Sequence, residues 1–174
     1  RTFFELIGHS AFNIGARPAP PVTLPGAMVY QPEGAHALAP WQDGASVALL
    51  VFYRAHVQAG NTAVFDAMLE ALSHAGLNTV ALAVDSLKNP TSLALLRSLA
   101  MQHQAGVVLN ATSFAMTALD GADVDSVEGA QMVPLAGEAP VLQLITAGYS
   151  QEQWQADPHG LAPRDLAMQV VLPE

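Results

Sequence analysis

Short apolar runs alternate with amphipathic stretches from Ser46 to the end of the chain. The run at 46–53, SVALLVFY, is apolar on both faces, which is typical of a central strand in a parallel sheet. Similar runs predict strands at 79–84, 106–110 and 141–147. Strand and helix patterns therefore follow one another along this part of the chain, as they do in α/β proteins.

Helix signals lie between and after these strands. The first helix starts at Asn61 or Thr62, either of which can serve as its N-cap, and stops at Gly76. Its apolar spacing predicts a buried face, made of Val64, Phe65, Met68, Leu69 and Leu72. Further helix starts are predicted at Asn89 followed by Pro90, at Ser150 with Gln153 as a capping box, and at Pro163.

This order predicts an open, mainly parallel α/β sheet of about four strands with flanking helices, Rossmann-like or flavodoxin-like, in residues 46–174. Residues 1–45 are predicted to precede it as an N-terminal helix at 2–14, a proline-rich linker and a short strand at 27–30. A loop of about thirty residues before the last strand is acidic and longer than compact domains usually carry. Since the chain opens on an arginine and stops within an apolar run, we expect a fragment of a larger multidomain subunit.

Charge narrows the range of partners. Six Lys and Arg stand against fifteen Asp and Glu, and the net charge of -9 repels nucleic-acid phosphates and anionic lipid. The apolar runs are also shorter than the roughly 20 residues of a membrane helix, so we expect neither a nucleic-acid nor a membrane partner. The absence of cysteine excludes disulfides and thiolate zinc sites, and it fits the reducing cytoplasm, where we expect the protein to be located.

Several motifs of common enzyme classes are absent. No strand is followed by GxGxxG, GxxxxGK[ST] does not occur, and Lys88 is the only lysine, so we expect this chain to bind no nucleotide. HExxH and GxSxG are absent as well, which excludes the metalloprotease and serine-hydrolase sites that those motifs build.

Polar residues follow the carboxyl ends of the predicted strands, where ligands bind in sheets of this kind. The candidate contacts are Arg54, His56, Asn61, Asn110, Gln151 and Trp154. All of them except Gln151 have a structural alternative: His56 as a loop histidine bonded to backbone, Arg54 as a paired surface charge, Asn61 as a helix cap, Asn110 as a turn residue and Trp154 as a packing residue. The spacing alone therefore indicates only a small-molecule site in an α/β sheet.

Three segments resemble a known family: VALLVFYRAHVQAGNTAVFDAMLEAL, AVDSL and GLAPRDLAMQVVLPE. They are similar to the large subunit of cobaltochelatase (CobN type), whose family includes the large (H) subunit of magnesium chelatase. The resemblance covers essentially the whole chain. The magnesium branch is similar to RSHxxTGD where this chain has RAHVQAGN, which favours cobalt.

The resemblance implies ATP-dependent insertion of Co²⁺ into hydrogenobyrinic acid a,c-diamide, a corrin precursor, in aerobic cobalamin biosynthesis. It implies that a separate AAA+ subunit hydrolyses the ATP and that a third subunit carries an integrin-like domain. As a fragment, the isolated chain is expected to be inactive. Two alternatives stay open. One is insertion of Mg²⁺ into protoporphyrin IX. The other is a non-catalytic module that binds ligand or docks the ATP-hydrolysing subunits through the acidic loop.

Chelation requires the metal to lose water, the ring to be held, and two pyrrolic N–H protons to leave. With the resemblance included, His56 and Glu174 are assigned to metal handling and proton acceptance, because imidazole and carboxylate ligate divalent ions and accept protons. Arg54 is assigned to a ring carboxylate. The remaining candidates are Asn61, Asn110 and Gln151 as polar contacts and Trp154 as a stacking surface.

Overall fold

The computed structural model describes residues 7–9, 11–12, 23–32, 38–112, 139–156 and 160–166. Its strands are β1 (Ala27–Tyr30), β2 (Val47–Tyr53), β3 (Asn78–Val84), β4 (Ala105–Asn110) and β5 (Val141–Gln143). Its helices are α1 (Arg54–Ala59), α2 (Ala63–His74), α3 (Pro90–Gln102), α4 (Gln151–Ala156) and α5 (Pro163–Leu166). Residues 7–9 and 11–12 are helical and fall inside the helix predicted at 2–14, whose other positions lie outside the described residues.

The strands form one five-stranded sheet in the order β1-β3-β2-β4-β5. Strands β2 to β5 pair in parallel, and β1 pairs antiparallel with β3, Ala27 opposite Val84 and Tyr30 opposite Ala81. The mainly parallel α/β class is confirmed. The sheet has one strand more than predicted because the 27–30 segment joins it, while a domain boundary after residue 45 stays a prediction.

The two faces of β2 are both buried, which explains its unbroken apolar sequence. On one face, Leu49 and Val51 pack with Leu96 of α3. On the other face, Leu50 and Phe52 pack with α2. Since α2 and α3 cover opposite faces, the sheet is doubly wound, and burying each such side chain stabilises the fold by roughly 1.5 to 3 kcal/mol.

The ends of the two long helices follow from local chemistry. Asn89 caps α3, because its side chain accepts a hydrogen bond from the Thr91 N–H at 3.0 Å. Gly76 follows α2 with φ of +82°, the left-handed conformation predicted for it. The prediction that Val64 of α2 is buried is wrong, because its side chain is exposed. Asp66, next to Phe65, is buried instead.

Two further elements differ from the predictions. The residues after β2 form the helix α1, not a loop. The strand predicted at 141–147 is limited to Val141–Gln143. Among the described residues, no helix combines the length and hydropathy that a membrane span needs.

Candidate functional site

The strand order reverses at β2, since the chain passes from β2 to β3 on one side and then to β4 on the other. The carboxyl ends of β2 and β4 therefore border the crevice where open α/β sheets bind ligands. The two ends are joined by the Ala111 N–H, which donates to the Val51 carbonyl at 2.7 Å. Of the predicted site residues, Arg54, His56 and Asn110 follow or end these two strands.

Asn110 ends β4 and is fully buried. Its Oδ1 accepts from the N–H and the hydroxyl of Thr112 at 3.1 and 2.7 Å. Its Nδ2 donates to Oε1 of Gln143 at 2.7 Å. The side-chain amide of Asn110 thus links the end of β4 to β5. The contact of Asn110 with a ligand stays a prediction.

Gln143 completes this amide network and was not among the predicted site residues. Its Nε2 donates to the carbonyl of Thr112 at 2.6 Å and to that of Leu144 at 3.3 Å. A single glutamine inside the apolar run VLQLITA was the available signal in the sequence. Because Asn110 donates to Gln143 and Gln143 donates to the Thr112 carbonyl, side chains of two strands fix the direction in which the chain leaves β4.

Arg54 begins α1 and reaches back to the proline-rich segment. Its Nη1 donates to the carbonyl oxygens of Leu24, at 3.0 Å, and of Pro25. Its Nε is buried and has no hydrogen-bond partner within the described part of the chain. The guanidinium therefore holds residues 24–25 against the end of β2, and its predicted contact with a ring carboxylate stays a prediction.

Asp85 lies at the carboxyl end of β3 and collects several donors. Its carboxylate accepts from the Ser86 N–H at 2.6 Å, the Ser92 hydroxyl at 2.8 Å and Nδ2 of Asn89 at 3.0 Å. Burial alone raises its pKa, but the hydrogen bonds from Ser92, Asn89 and Ser86, together with the charge of Arg54, hold the pKa of Asp85 below its ordinary value. The lowered pKa of Asp85 thus follows mainly from hydrogen bonds to its carboxylate, with a smaller contribution from the charge of Arg54.

Gly26 allows the proline-rich segment to approach this carboxylate. Its carbonyl accepts from the Asp85 N–H at 2.7 Å. A Cβ at residue 26 would lie only 3.0 Å from Oδ2 of Asp85 and 3.2 Å from Nδ2 of Asn89. Residues 24–26, predicted to be linker, therefore form a packed cover over the ends of β2 and β3.

His56 lies in the first turn of α1 and is half-buried. Its imidazole packs edge-on against Phe65 of α2, with ring centroids 4.9 Å apart. Its carbonyl accepts from the Asn61 N–H at 2.9 Å, just after Gly60 ends the helix with φ of +66°. The backbone of His56 is therefore held by a helix and its cap, and one side of its ring is held by the core.

Asn61 is exposed, and its backbone N–H donates to the His56 carbonyl. The N-cap position of α2 is Thr62, whose hydroxyl donates to Oδ2 of Asp66 at 2.9 Å. The other oxygen of Asp66 accepts from the Tyr30 hydroxyl at 2.7 Å. This buried carboxylate joins α2 to β1, a contact that the sequence did not indicate.

Gln151 and Trp154 are exposed on α4, and within the described residues neither side chain has a hydrogen bond. The capping box is confirmed, with Ser150 N–H donating to Oε1 of Gln153 at 2.9 Å and Gln153 N–H donating to Oγ of Ser150 at 3.3 Å. The capping box thus fixes the start of α4, but no described contact links Gln151 or Trp154 to the ends of β2 and β4. Their ligand contacts stay predictions.

No group of three or more His, Asp or Glu side chains that could hold a metal ion occurs among the residues whose placement is described. Glu174 lies outside the described residues, so its distance from His56 is not defined. A metal-handling pair of His56 and Glu174 stays a prediction.

The fold defines a class: a doubly wound α/β domain whose strand order reverses at β2. The family model for CobN/Magnesium Chelatase matches residues 1–174. The chain belongs to this family, as the sequence resemblance predicted.

Curated relatives and a solved structure agree with this membership. An aerobic cobaltochelatase subunit CobN of Pseudomonas aeruginosa is 36% identical over 159 residues, covering 88% of this chain and 12% of that protein. One from a Sinorhizobium species is 40% identical over 128 residues, covering 72% and 9%. The catalytic subunit of cobaltochelatase from Mycobacterium tuberculosis superposes with a TM-score of 0.66 at 26% identity, covering 99% of this chain and 14% of that one. The chain thus spans only a small part of the length of these relatives.

Proposed function

We propose that this chain is part of the large, tetrapyrrole-binding subunit of an ATP-dependent cobaltochelatase, which inserts Co²⁺ into hydrogenobyrinic acid a,c-diamide in aerobic cobalamin biosynthesis. The observation that carries the proposal is the family match over residues 1–174, together with relatives named as aerobic cobaltochelatase subunits. The crevice at the ends of β2 and β4 supports it as a place for part of the ligand.

The proposed enzyme has three kinds of subunit. A separate AAA+ subunit hydrolyses ATP, a third subunit carries an integrin-like domain, and this chain binds no nucleotide. The absence of a phosphate-binding loop from the sequence supports this division. Because the chain corresponds to only 12% and 9% of its curated relatives, it is expected to be inactive when isolated.

Insertion exchanges two pyrrolic protons for one Co²⁺, so the reaction needs proton acceptors near the ring. His56 is proposed to accept a ring proton or to pass the metal to the ring, and Glu174 is proposed to share this work. The packing of His56 against Phe65 supports the assignment, because a base must be positioned by its surroundings. Its position in the helix that follows β2 also supports the assignment.

The other contacts are proposed as weaker ones. Asn61, Gln151 and Trp154 are exposed and available to a ligand that other parts of the subunit help to hold. Asn110 and Arg54 have intramolecular partners, which supports a role in shaping the crevice beside any contact with the ring.

The test is the His56→Ala substitution in the full-length subunit, with His74→Ala as the matched control. His74 is an exposed histidine at the end of α2, so its loss removes the same group away from the crevice. We expect His56→Ala to slow cobalt insertion by about 10²- to 10⁴-fold, the usual contribution of a general base. His74→Ala should leave the rate unchanged. Insertion rate, affinity for the corrin precursor and denaturant midpoint are measured for both variants.

A normal rate of cobalt insertion by the His56→Ala variant would mean that His56 has only a structural role. A lower denaturant midpoint with unchanged specific activity would do the same. The alternative metal is tested on the unsubstituted enzyme with Mg²⁺ and protoporphyrin IX. Magnesium insertion without cobalt insertion would place the chain in the magnesium branch of the family.

A further inference from the structure

The β5 strand is the least covered strand of the sheet. Val141 and Leu142 are neighbours, so they point to opposite faces, and they are 38% and 54% exposed. In contrast, β2 is buried on both faces. Within the described residues, neither face of β5 is packed as a parallel strand usually is.

The outer edge of β5 presents backbone groups for pairing. The Val108 N–H donates to the carbonyl of Pro140 at 2.9 Å, and the Leu144 N–H donates to the carbonyl of Asn110 at 2.7 Å. Even-numbered residues therefore turn their backbone groups toward β4. Their odd-numbered neighbours, Val141, Gln143 and Ile145, turn theirs away from it. No described strand pairs with this edge.

This edge lacks two of the features that normally prevent strand pairing, charge and proline, although the strand itself is only three residues long. Residues 141–147, VLQLITA, contain no charged residue and no proline, although exposed edges of soluble proteins usually carry such residues or a bulge. Ile145, just beyond the strand, is also exposed. An uncharged edge with apolar side chains on both faces is suited to an added strand.

We propose that the open edge of β5 is the docking site for an extended segment of the same polypeptide, which adds a sixth strand to the sheet. The argument for this occupant is length, because the chain corresponds to 12% and 9% of its curated relatives and most of such a subunit lies elsewhere. A tethered segment also has a high effective concentration and needs no charge complementarity. The inference rests on the proposal that the chain is part of a long chelatase subunit.

The test uses the full-length subunit with the photo-crosslinker benzoylphenylalanine in place of Leu142. The control places it at Met101, which is more exposed and lies on the helix α3. We expect the probe at residue 142 to crosslink within the same polypeptide, to residues outside this 174-residue stretch. The probe at residue 101 should give no such product.

Hydrogen exchange of the unsubstituted subunit gives an independent reading. We expect the amides of Val141, Gln143 and Ile145, which face away from β4, to exchange about 100-fold more slowly than their intrinsic rates, because a paired edge is protected. Crosslinks to a second copy or to another subunit would overturn the proposal, as would unprotected amides. Neither reading depends on cobalt insertion, so an inactive subunit with a protected edge would sink the proposed function and leave the docking intact.

Discussion

The two edges of the sheet differ in how completely this chain covers them. At one edge, β1 pairs with β3 and its Tyr30 hydroxyl binds Asp66 of α2. At the other edge, β5 has exposed side chains on both faces. The β1–β3–β2 half of the sheet is therefore stabilised by contacts within the chain, whereas the β5 edge lacks such cover among the described residues.

The largest expected effect is the loss of stability when a side chain of the buried core is removed. Phe52 of β2 stacks on Phe65 at 4.2 Å and meets Tyr30 edge-on at 5.3 Å, so Phe52→Ala should destabilise the chain by about 3 to 5 kcal/mol. Leu142→Ala at the open edge should change the stability of the isolated chain by about 0.5 kcal/mol or less. Chemical denaturation of the 174-residue chain measures both. Equal losses would mean that β5 is packed as tightly as β2.

A medium effect is expected from removing a tyrosine hydroxyl, in one variant from β1 and in the other from the segment that follows β5 in the chain. Tyr30→Phe leaves the buried Asp66 with one donor fewer, and hydrogen bonds to charged groups contribute about 1.5 to 3 kcal/mol. Tyr149→Phe removes two bonds to neutral backbone groups: one donated to the Gly160 carbonyl at 2.8 Å and one accepted from the Ala162 N–H at 3.2 Å. Both groups are half-exposed and can bond to water instead, so the total cost should be about 0.5 to 1.5 kcal/mol. Denaturant midpoints of the two variants give the comparison. A larger loss from Tyr149→Phe would contradict the importance assigned to the β1 contact.

The smallest effect is expected at Asp85, whose solvent exposure weakens its interactions. Its pKa is lowered in the folded chain from 3.8, so its stabilising contribution is present above that pH and is lost as the pH falls through the folded pKa. Asp85→Asn should therefore lower the denaturation midpoint at pH 7 and have progressively less effect below pH 3.8. Exposed Asp43→Asn serves as the control. A deficit of Asp85→Asn that persists unchanged in acid would show that the charge is not responsible.

The elements that rest on local chemistry could be read from the residues. The unbroken apolar run of β2, the Asn89 cap of α3 and the left-handed Gly76 all involve neighbours within a few positions. The capping box of Ser150 and Gln153 is of the same kind. Side-chain period and capping geometry are properties of a short segment, so they are visible without the fold.

The partners of the candidate site residues could not be read in this way. Arg54 contacts Leu24 across 30 positions, and Asn110 contacts Gln143 across 33. Each of these polar groups has many acceptors or donors available in the sequence, and only the strand order brings one pair together. The pairing of the 27–30 strand could not be predicted either. Its apolar pattern predicts a strand but does not indicate the edge at which that strand pairs.

Family membership was also accessible from the residues, because RAHVQAGN and LAPRDLAMQVVLPE are specific strings, and the match over residues 1–174 confirms it. The crevice is different. The place expected for it follows from the reversal of strand order at β2, and two polar networks join distant segments there. Local sequence determines which segments become strands and helices. The order of the strands depends on long-range pairing between apolar runs that resemble one another, so it is decided only when the whole chain packs.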